Sequence, residues 1–197
     1  MKKFFFSDFE ISVLDKVYEP KEDSELLAEV LGREDLQGNS ALDMGTGSGI
    51  QSIILAKKGF DVTAVDVNAR ALDNVDINAE AFGFEEKIHV LKSDLFENVS
   101  GKFDVIIFNP PYVESETLKW KEVDGGKKGR EVLDRFLQGV ADFLNDTGVC
   151  YFLQSSLNGI EETEKVLKTQ NFKFESIARK KLFFEELIVF KVSQHLR

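Results

Sequence analysis

Phe103-Asp104-Val105-Ile106-Ile107-Phe108-Asn109-Pro110-Pro111-Tyr112 decides the fold of this chain. The apolar run up to Phe108 has the pattern of a buried strand. Neither proline has an N–H to donate, so the chain leaves the sheet at Asn109 in a fixed, extended shape. An amide side chain, two backbone carbonyls and an aromatic ring are thereby gathered at a strand's C-terminal end. In an open α/β sheet that end is where ligands bind. Taken alone, the same residues also fit a plainer reading, a rigid loop in which Asn109 only caps the turn.

Three further strand ends lie upstream. Ala41-Leu42-Asp43-Met44-Gly45-Thr46-Gly47-Ser48-Gly49 joins a short apolar strand to a helical pattern starting near Ile50. Glycines at alternate positions let the backbone turn tightly and let a ligand approach it, and the helix start supplies free N–H groups. The third glycine falls one residue early for the dinucleotide fingerprint Gly-x-Gly-x-x-Gly, and Ile50 takes its place. Val62-Thr63-Ala64-Val65-Asp66 is a β-branched strand ending in a carboxylate able to accept from both hydroxyls of a ribose. A third strand ends in Lys92-Ser93-Asp94-Leu95. Each acidic residue singly reads as a cap or turn residue. Three of them followed by Asn-Pro-Pro-Tyr, in this order, read as one site.

The elements alternate. Leu26, Leu27, Val30 and Leu31 recur at helical spacing, with Gly32 as a stop; strands follow at about 40–44, 62–66, 88–91, 105–108 and 149–153. Helices are expected from Ile50 to Lys58, from about Leu72 to Gly83, along the face Val132, Leu133, Phe136, Leu137, Val140 and Leu144, and from Ile160 to Thr169. Phe172–Ile177 and Leu182–Val192 look like a closing hairpin. The alternation predicts an α/β fold with a mostly parallel sheet and helices on both faces.

On these residues the chain resembles a class I S-adenosylmethionine-dependent methyltransferase of the Asn-Pro-Pro-Tyr type. More narrowly, it resembles the short archaeal and eukaryotic HemK-like enzymes that methylate the glutamine of the Gly-Gly-Gln loop in class I release factors. Tyr18-Glu19-Pro20-Lys21-Glu22-Asp23-Ser24, the segment around Asn109, and Gly125-Gly126 through Gly129-Arg130-Glu131-Val132-Leu133-Asp134-Arg135-Phe136 carry the narrower match. It runs from about Val17 to Lys191. One departure is that Lys121-Glu122-Val123-Asp124 separates Trp120 from Gly125, where the family commonly keeps the two close.

The resemblance implies a Rossmann-like, seven-stranded sheet of order 3-2-1-4-5-7-6 and S-adenosylmethionine as cofactor. Asp43 would orient the glycine turn and accept near the methionine ammonium, with Gly45 and Gly47 admitting the cofactor. Asp66 would hold the ribose, Asp94 and the Leu95 N–H the adenine, and Ser24 the methionine end; Ser24 as a helix N-cap is the alternative. Asn109 and Pro110 would bind the acceptor nitrogen, Asn109 also facing the cofactor, with Pro111 and Tyr112 completing the substrate site. Catalysis would rest on Asn109, Pro110 and Tyr112. The implied acceptor is a release-factor glutamine. Adenine-N6 methylation of DNA or RNA and protein lysine methylation share the motif, and a binding module without catalysis would show a damaged cofactor site. The resemblance also implies a small zinc-binding activator subunit, docked by strand addition on the third strand at Ile88 and Val90.

Composition sets bounds. At 197 residues and 43% apolar content, residues 1–197 are long enough for a single domain with a sizeable core. Residues 1–17 are expected to be an N-terminal extension, and with 42 residues before Asp43 the separate helical domain of bacterial HemK-type enzymes is not expected here. No apolar run has transmembrane length, and Ser7-Asp8 ends the apolar stretch after Met1 too soon for a signal peptide, so the expected compartment is the cytoplasm. Net charge of −10 argues against broad nucleic-acid binding, though Lys127-Lys128-Gly129-Arg130 and Arg179-Lys180-Lys181 are short basic runs. Cys150 reads as a buried core thiol. His89 and His195 are too isolated to suggest a metal site.

Overall fold

The computed structural model describes residues 1–113 and 125–195. Trp120 and the Lys121–Asp124 departure lie outside the described residues. Nine strands and five α-helices are found among the described residues. β1 (Lys2–Phe6) and β2 (Phe9–Val13) form an antiparallel hairpin of their own. β3 (Ser40–Met44), β4 (Asp61–Asp66), β5 (Ile88–Lys92), β6 (Phe103–Phe108), β7 (Leu144–Ser155), β8 (Phe172–Lys181) and β9 (Glu186–Gln194) form one sheet. Its order is β5-β4-β3-β6-β7-β9-β8. Counted from β3, this is the expected 3-2-1-4-5-7-6. β3 to β7 pair in parallel, and β9 runs antiparallel to both β7 and β8.

Side chains that alternate along each strand build two cores, one on each face. Val105, Ile107, Tyr151 and Leu153 face the helices α1 (Glu22–Arg33), α2 (Ile50–Lys57) and α3 (Ala69–Phe82). Ile106, Phe108, Cys150 and Phe152 face α4 (Glu131–Phe143) and α5 (Ile160–Thr169). The chain is thus an α/β fold, a seven-stranded and mostly parallel sheet with helices on both faces, as expected. Cys150 is buried, as expected, and burial pushes its thiol well above the ordinary range.

Several boundaries differ from the sequence reading. Helix α1 runs through Gly32 and ends at Arg33, whereas Gly83, in the left-handed region at φ 69°, does close α3. β8 continues to Lys181, so the second hairpin strand begins at Glu186 rather than Leu182. β7 extends beyond residues 149–153 at both ends: Leu144, expected on the α4 face, instead pairs with Phe103 of β6, and β9 pairs with β7 as far as Ser155↔Leu187.

The N-terminal hairpin is fixed to the main fold by two buried asparagines of α3. Asn78 Oδ1 accepts from the Ser12 N–H (2.8 Å), and Asn74 Oδ1 accepts from the Leu14 N–H (2.7 Å). Their amide nitrogens donate to the carbonyls of both Ser12 and Ser48. One pair of side chains thus ties the hairpin to the glycine turn.

Candidate active site

The parallel pairing of β3 with β6 sets Met44 opposite Phe108. The residues that follow each, Gly45 and Asn109, therefore share a crevice at the C-terminal ends of adjacent strands. A cavity of about 500 Å³ opens there. It is lined by all eleven residues singled out from the sequence: Ser24, Asp43, Gly45, Gly47, Asp66, Asp94, Leu95, Asn109, Pro110, Pro111 and Tyr112.

The glycine turn is held by carboxylates on both sides. Gly45, Gly47 and Gly49 all take positive φ (62°, 53° and 81°), a conformation that L side chains resist. The Gly47 N–H donates to Asp66 Oδ2 (3.0 Å), while Asp66 Oδ1 accepts from the Asn68 N–H (2.8 Å). Asp43 is fully buried beneath the turn and accepts from the hydroxyls of Thr46 (2.7 Å) and Ser52 (2.6 Å). Burial pushes its carboxyl up to about 6, against the pull of those hydroxyls. Asp94 is half-exposed and pairs with Arg135 (3.2 Å). Leu95 sits at φ 50°, an uncommon conformation outside glycine.

Ser24 is the third residue of α1, which starts after Lys21 without a side-chain cap, so the N-cap reading of Ser24 is set aside. The Asn109 amide nitrogen points to its hydroxyl at 3.5 Å. The side-chain oxygen of Asn109 is buried with no hydrogen-bond partner among the described residues. Gln51 resembles it: its Nε2 donates to the Ser24 carbonyl (3.0 Å), and its buried Oε1 has no partner among the described residues.

Asp23, Tyr18 and Gln51 are cavity residues that the sequence reading did not assign to the site. Asp23 is 2% exposed, and its Oδ2 accepts from the hydroxyls of Tyr18 (2.9 Å) and Tyr112 (3.3 Å). Burial first, and then the Asp23 charge, hold both phenols protonated and well above their usual range. Asp23 belongs to the quoted Tyr-Glu-Pro-x-Glu-Asp stretch, but an acidic residue in a helix's first turn carries an ordinary explanation, the helix dipole. Nothing in that stretch marks it as facing inward.

The catalytic-loop candidate is braced from behind. Asn158 Nδ2 donates to the carbonyls of Tyr112 and Lys128, both at 3.0 Å. The Asn158 carbonyl accepts from Arg130 Nη1 (2.5 Å), and Arg130, itself buried, forks onto Asp134. Gly125 donates its N–H to the Val113 carbonyl (2.9 Å). A Cβ on Gly129 would lie 2.2 Å from the Tyr112 carbonyl oxygen, so this approach requires glycine. The basic run at Lys127–Arg130 thus includes a buried structural arginine.

Residues 18–184 match the model of the methyltransferase small domain family. A Methanocaldococcus jannaschii protein, provisionally named protein N5-glutamine methyltransferase, is 46% identical over 181 residues, covering 88% of this chain and 90% of that one. The human methyltransferase HEMK2 is 31% identical over 203 residues, covering 90% of each. Among solved structures, the E. cuniculi Mtq2–Trm112 complex, responsible for methylation of the termination factor eRF1, superposes with a TM-score of 0.75 at 28% identity. That match covers 91% of this chain and 99% of the other. The chain is a methyltransferase and belongs to the methyltransferase small domain family.

Proposed function

We propose that this enzyme methylates the side-chain nitrogen of a glutamine, that of the Gly-Gly-Gln loop in a class I release factor, with S-adenosylmethionine as donor. The observation that carries the reading is the Asn109 oxygen, buried at the cavity with no partner among the described residues and followed by the Pro110 carbonyl. Such a pair of acceptors matches the two N–H groups of one planar amide.

The residues present fit the cofactor. Three strand-end carboxylates, a glycine turn at positive φ and a roughly 500 Å³ cavity suit a charged, hydroxyl-rich nucleoside carrying an amino acid. Bound there, S-adenosylmethionine supplies an electrophilic methyl group. Asp66 would hold the ribose hydroxyls, Asp94 and the Leu95 N–H the adenine, and Ser24 and Asp43 the methionine end. Asp66→Ala should weaken cofactor binding by about 2–3 kcal/mol, the worth of lost charge-assisted hydrogen bonds. Calorimetry showing unchanged affinity in a folded variant removes Asp66 from the site.

An amide nitrogen is a poor nucleophile because its lone pair is delocalised. Asn109 and Pro110 accept one N–H each, orient the nitrogen and favour its pyramidal form; these bonds strengthen as the nitrogen acquires positive charge. Its proton becomes acidic only as the new C–N bond forms, so no strong base is needed beforehand. Tyr112, fixed by Asp23 and Asn158, presents its ring beside the acceptor.

A release factor as acceptor implies work in the cytoplasm. A small zinc-binding activator would dock on the open edge of β5, at Ile88 and Val90, by strand addition. The test is a radiolabelled methyl-transfer assay offering release factor, total RNA and DNA side by side, with and without such a subunit. Label confined to a release-factor glutamine supports the reading; label on nucleic acid or on lysine overturns it.

A further inference from the structure

We propose that the hairpin tip between β8 and β9 docks the acceptor protein, with Phe183 and Phe184 as its anchors and a basic segment beside the methylated glutamine as the feature they receive. This rests on the glutamine-methyltransferase reading above and adds where the protein acceptor is held.

Phe183 and Phe184 are 91% and 84% exposed, and their rings meet edge to face at 4.6 Å. Turns are ordinarily built from small or polar residues. Two aromatic rings standing in water at one tip have the size and type of interface anchors. Their position is not arbitrary. The tip is closed by the Leu182 N–H donating to the Glu185 carbonyl (2.8 Å), and Glu185 lines the cavity. Ser156 and Glu186 exchange two hydrogen bonds, joining the tip to the loop after β7. That loop carries Leu157, 68% exposed, beside Asn158, which holds the Tyr112 carbonyl. The aromatic tip is thus continuous with the mouth of the acceptor site.

The cavity has room for a cofactor and one acceptor side chain, so the rest of a protein acceptor must lie against the rim. The charge of that rim selects the occupant. Glu185 lines the cavity, and Glu22 precedes the buried Asp23 in the first turn of α1. An acidic lip suits a polypeptide loop carrying lysine or arginine and repels phosphate. Of the basic run leading into the tip, Arg179 is paired with Glu186 and Lys180 with Glu25; Lys181, beside the tip, and Lys21, which lines the cavity, are the cations that stand with Glu185 and Glu22 on this side. A platform for stacking nucleic-acid bases would instead need a positive groove around its aromatics.

The test is steady-state kinetics of the double variant Phe183→Ser/Phe184→Ser with release factor as the varied acceptor. Both side chains are exposed, so the variant should fold and bind S-adenosylhomocysteine as wild type does in calorimetry. The expected result is a KM for release factor raised roughly tenfold or more, with kcat nearly unchanged. An unchanged KM, or a fall confined to kcat, overturns the docking proposal. So does single-stranded RNA that binds wild type and loses that binding in the variant. Wild-type enzyme that transfers no methyl group to release factor overturns the function reading itself, a separate result.

Discussion

Asp43 shows how much one residue can cost a fold that needs it. Its folded value, about 6, stands above the ordinary 3.8 because the carboxyl is buried. The folded state therefore holds the proton more tightly than the unfolded chain. Stability from this group is fully present below about pH 4 and is lost as pH rises through about 6. The loss amounts to about 3 kcal/mol. Asp43→Asn cannot ionise, so its stability relative to wild type should improve by roughly that amount between pH 4 and pH 7, as read by denaturant unfolding. A constant difference across that range would show that Asp43 is ionised throughout. At this scale the sequence was informative where residues that singly fit a cap or a turn recur at successive strand ends in a fixed order. The strand-end carboxylates and Asn109 stood out for that reason. Asp23 did not, because only the folded packing of Tyr18 and Tyr112 onto its carboxylate distinguishes it from an ordinary first-turn acid.

Among the elements, the proposed catalytic loop depends on a neighbour that no local pattern announced. Asn158 lies after β7, yet its amide holds the Tyr112 and Lys128 carbonyls together. Asn158→Ala should leave both carbonyls unpaired and let the loop drift, lowering turnover by about 10- to 100-fold while cofactor affinity holds. Single-turnover rates beside calorimetry would check this; wild-type turnover would make the brace dispensable. The strands were legible from their apolar runs because burial on both faces leaves little freedom of composition. The hairpin ends were not. Arg179, Lys180 and Lys181 form a short basic run with no strand pattern, and only pairing with Glu186, Leu187 and Ile188 makes them strand.

For the whole molecule, the strand order leaves β5 at one edge of the sheet. Alternating strands and helices made the mostly parallel sheet legible, and the resemblance supplied its order; the separate β1–β2 hairpin was not legible, since its anchors Asn74 and Asn78 are distant in sequence. The Val62 N–H donates to the Lys87 carbonyl, and the Ser93 N–H to Asp66. By the alternation of a parallel ladder, the N–H of Val90 then faces the open edge. Val90→Pro removes that donor without breaking a bond to β4. With the proposed activator subunit present, the variant should fold, bind cofactor, and lose both co-purification and stimulation of activity. Retention of both would exclude strand addition at this edge. Among the described residues, no helix is long and apolar enough to cross a membrane.

The most direct test of the central claim, that the Asn109 oxygen orients an amide nitrogen for methyl transfer, is single-turnover methylation of release factor by Asn109→Ala, with S-adenosylhomocysteine affinity measured on the same protein. The account predicts a rate lowered by about 10² to 10³, the usual worth of a hydrogen bond that strengthens in the transition state, with a much smaller change in affinity. A folded Asn109→Ala enzyme that transfers the methyl group at the wild-type rate would contradict it and return Asn109 to the role of a turn residue.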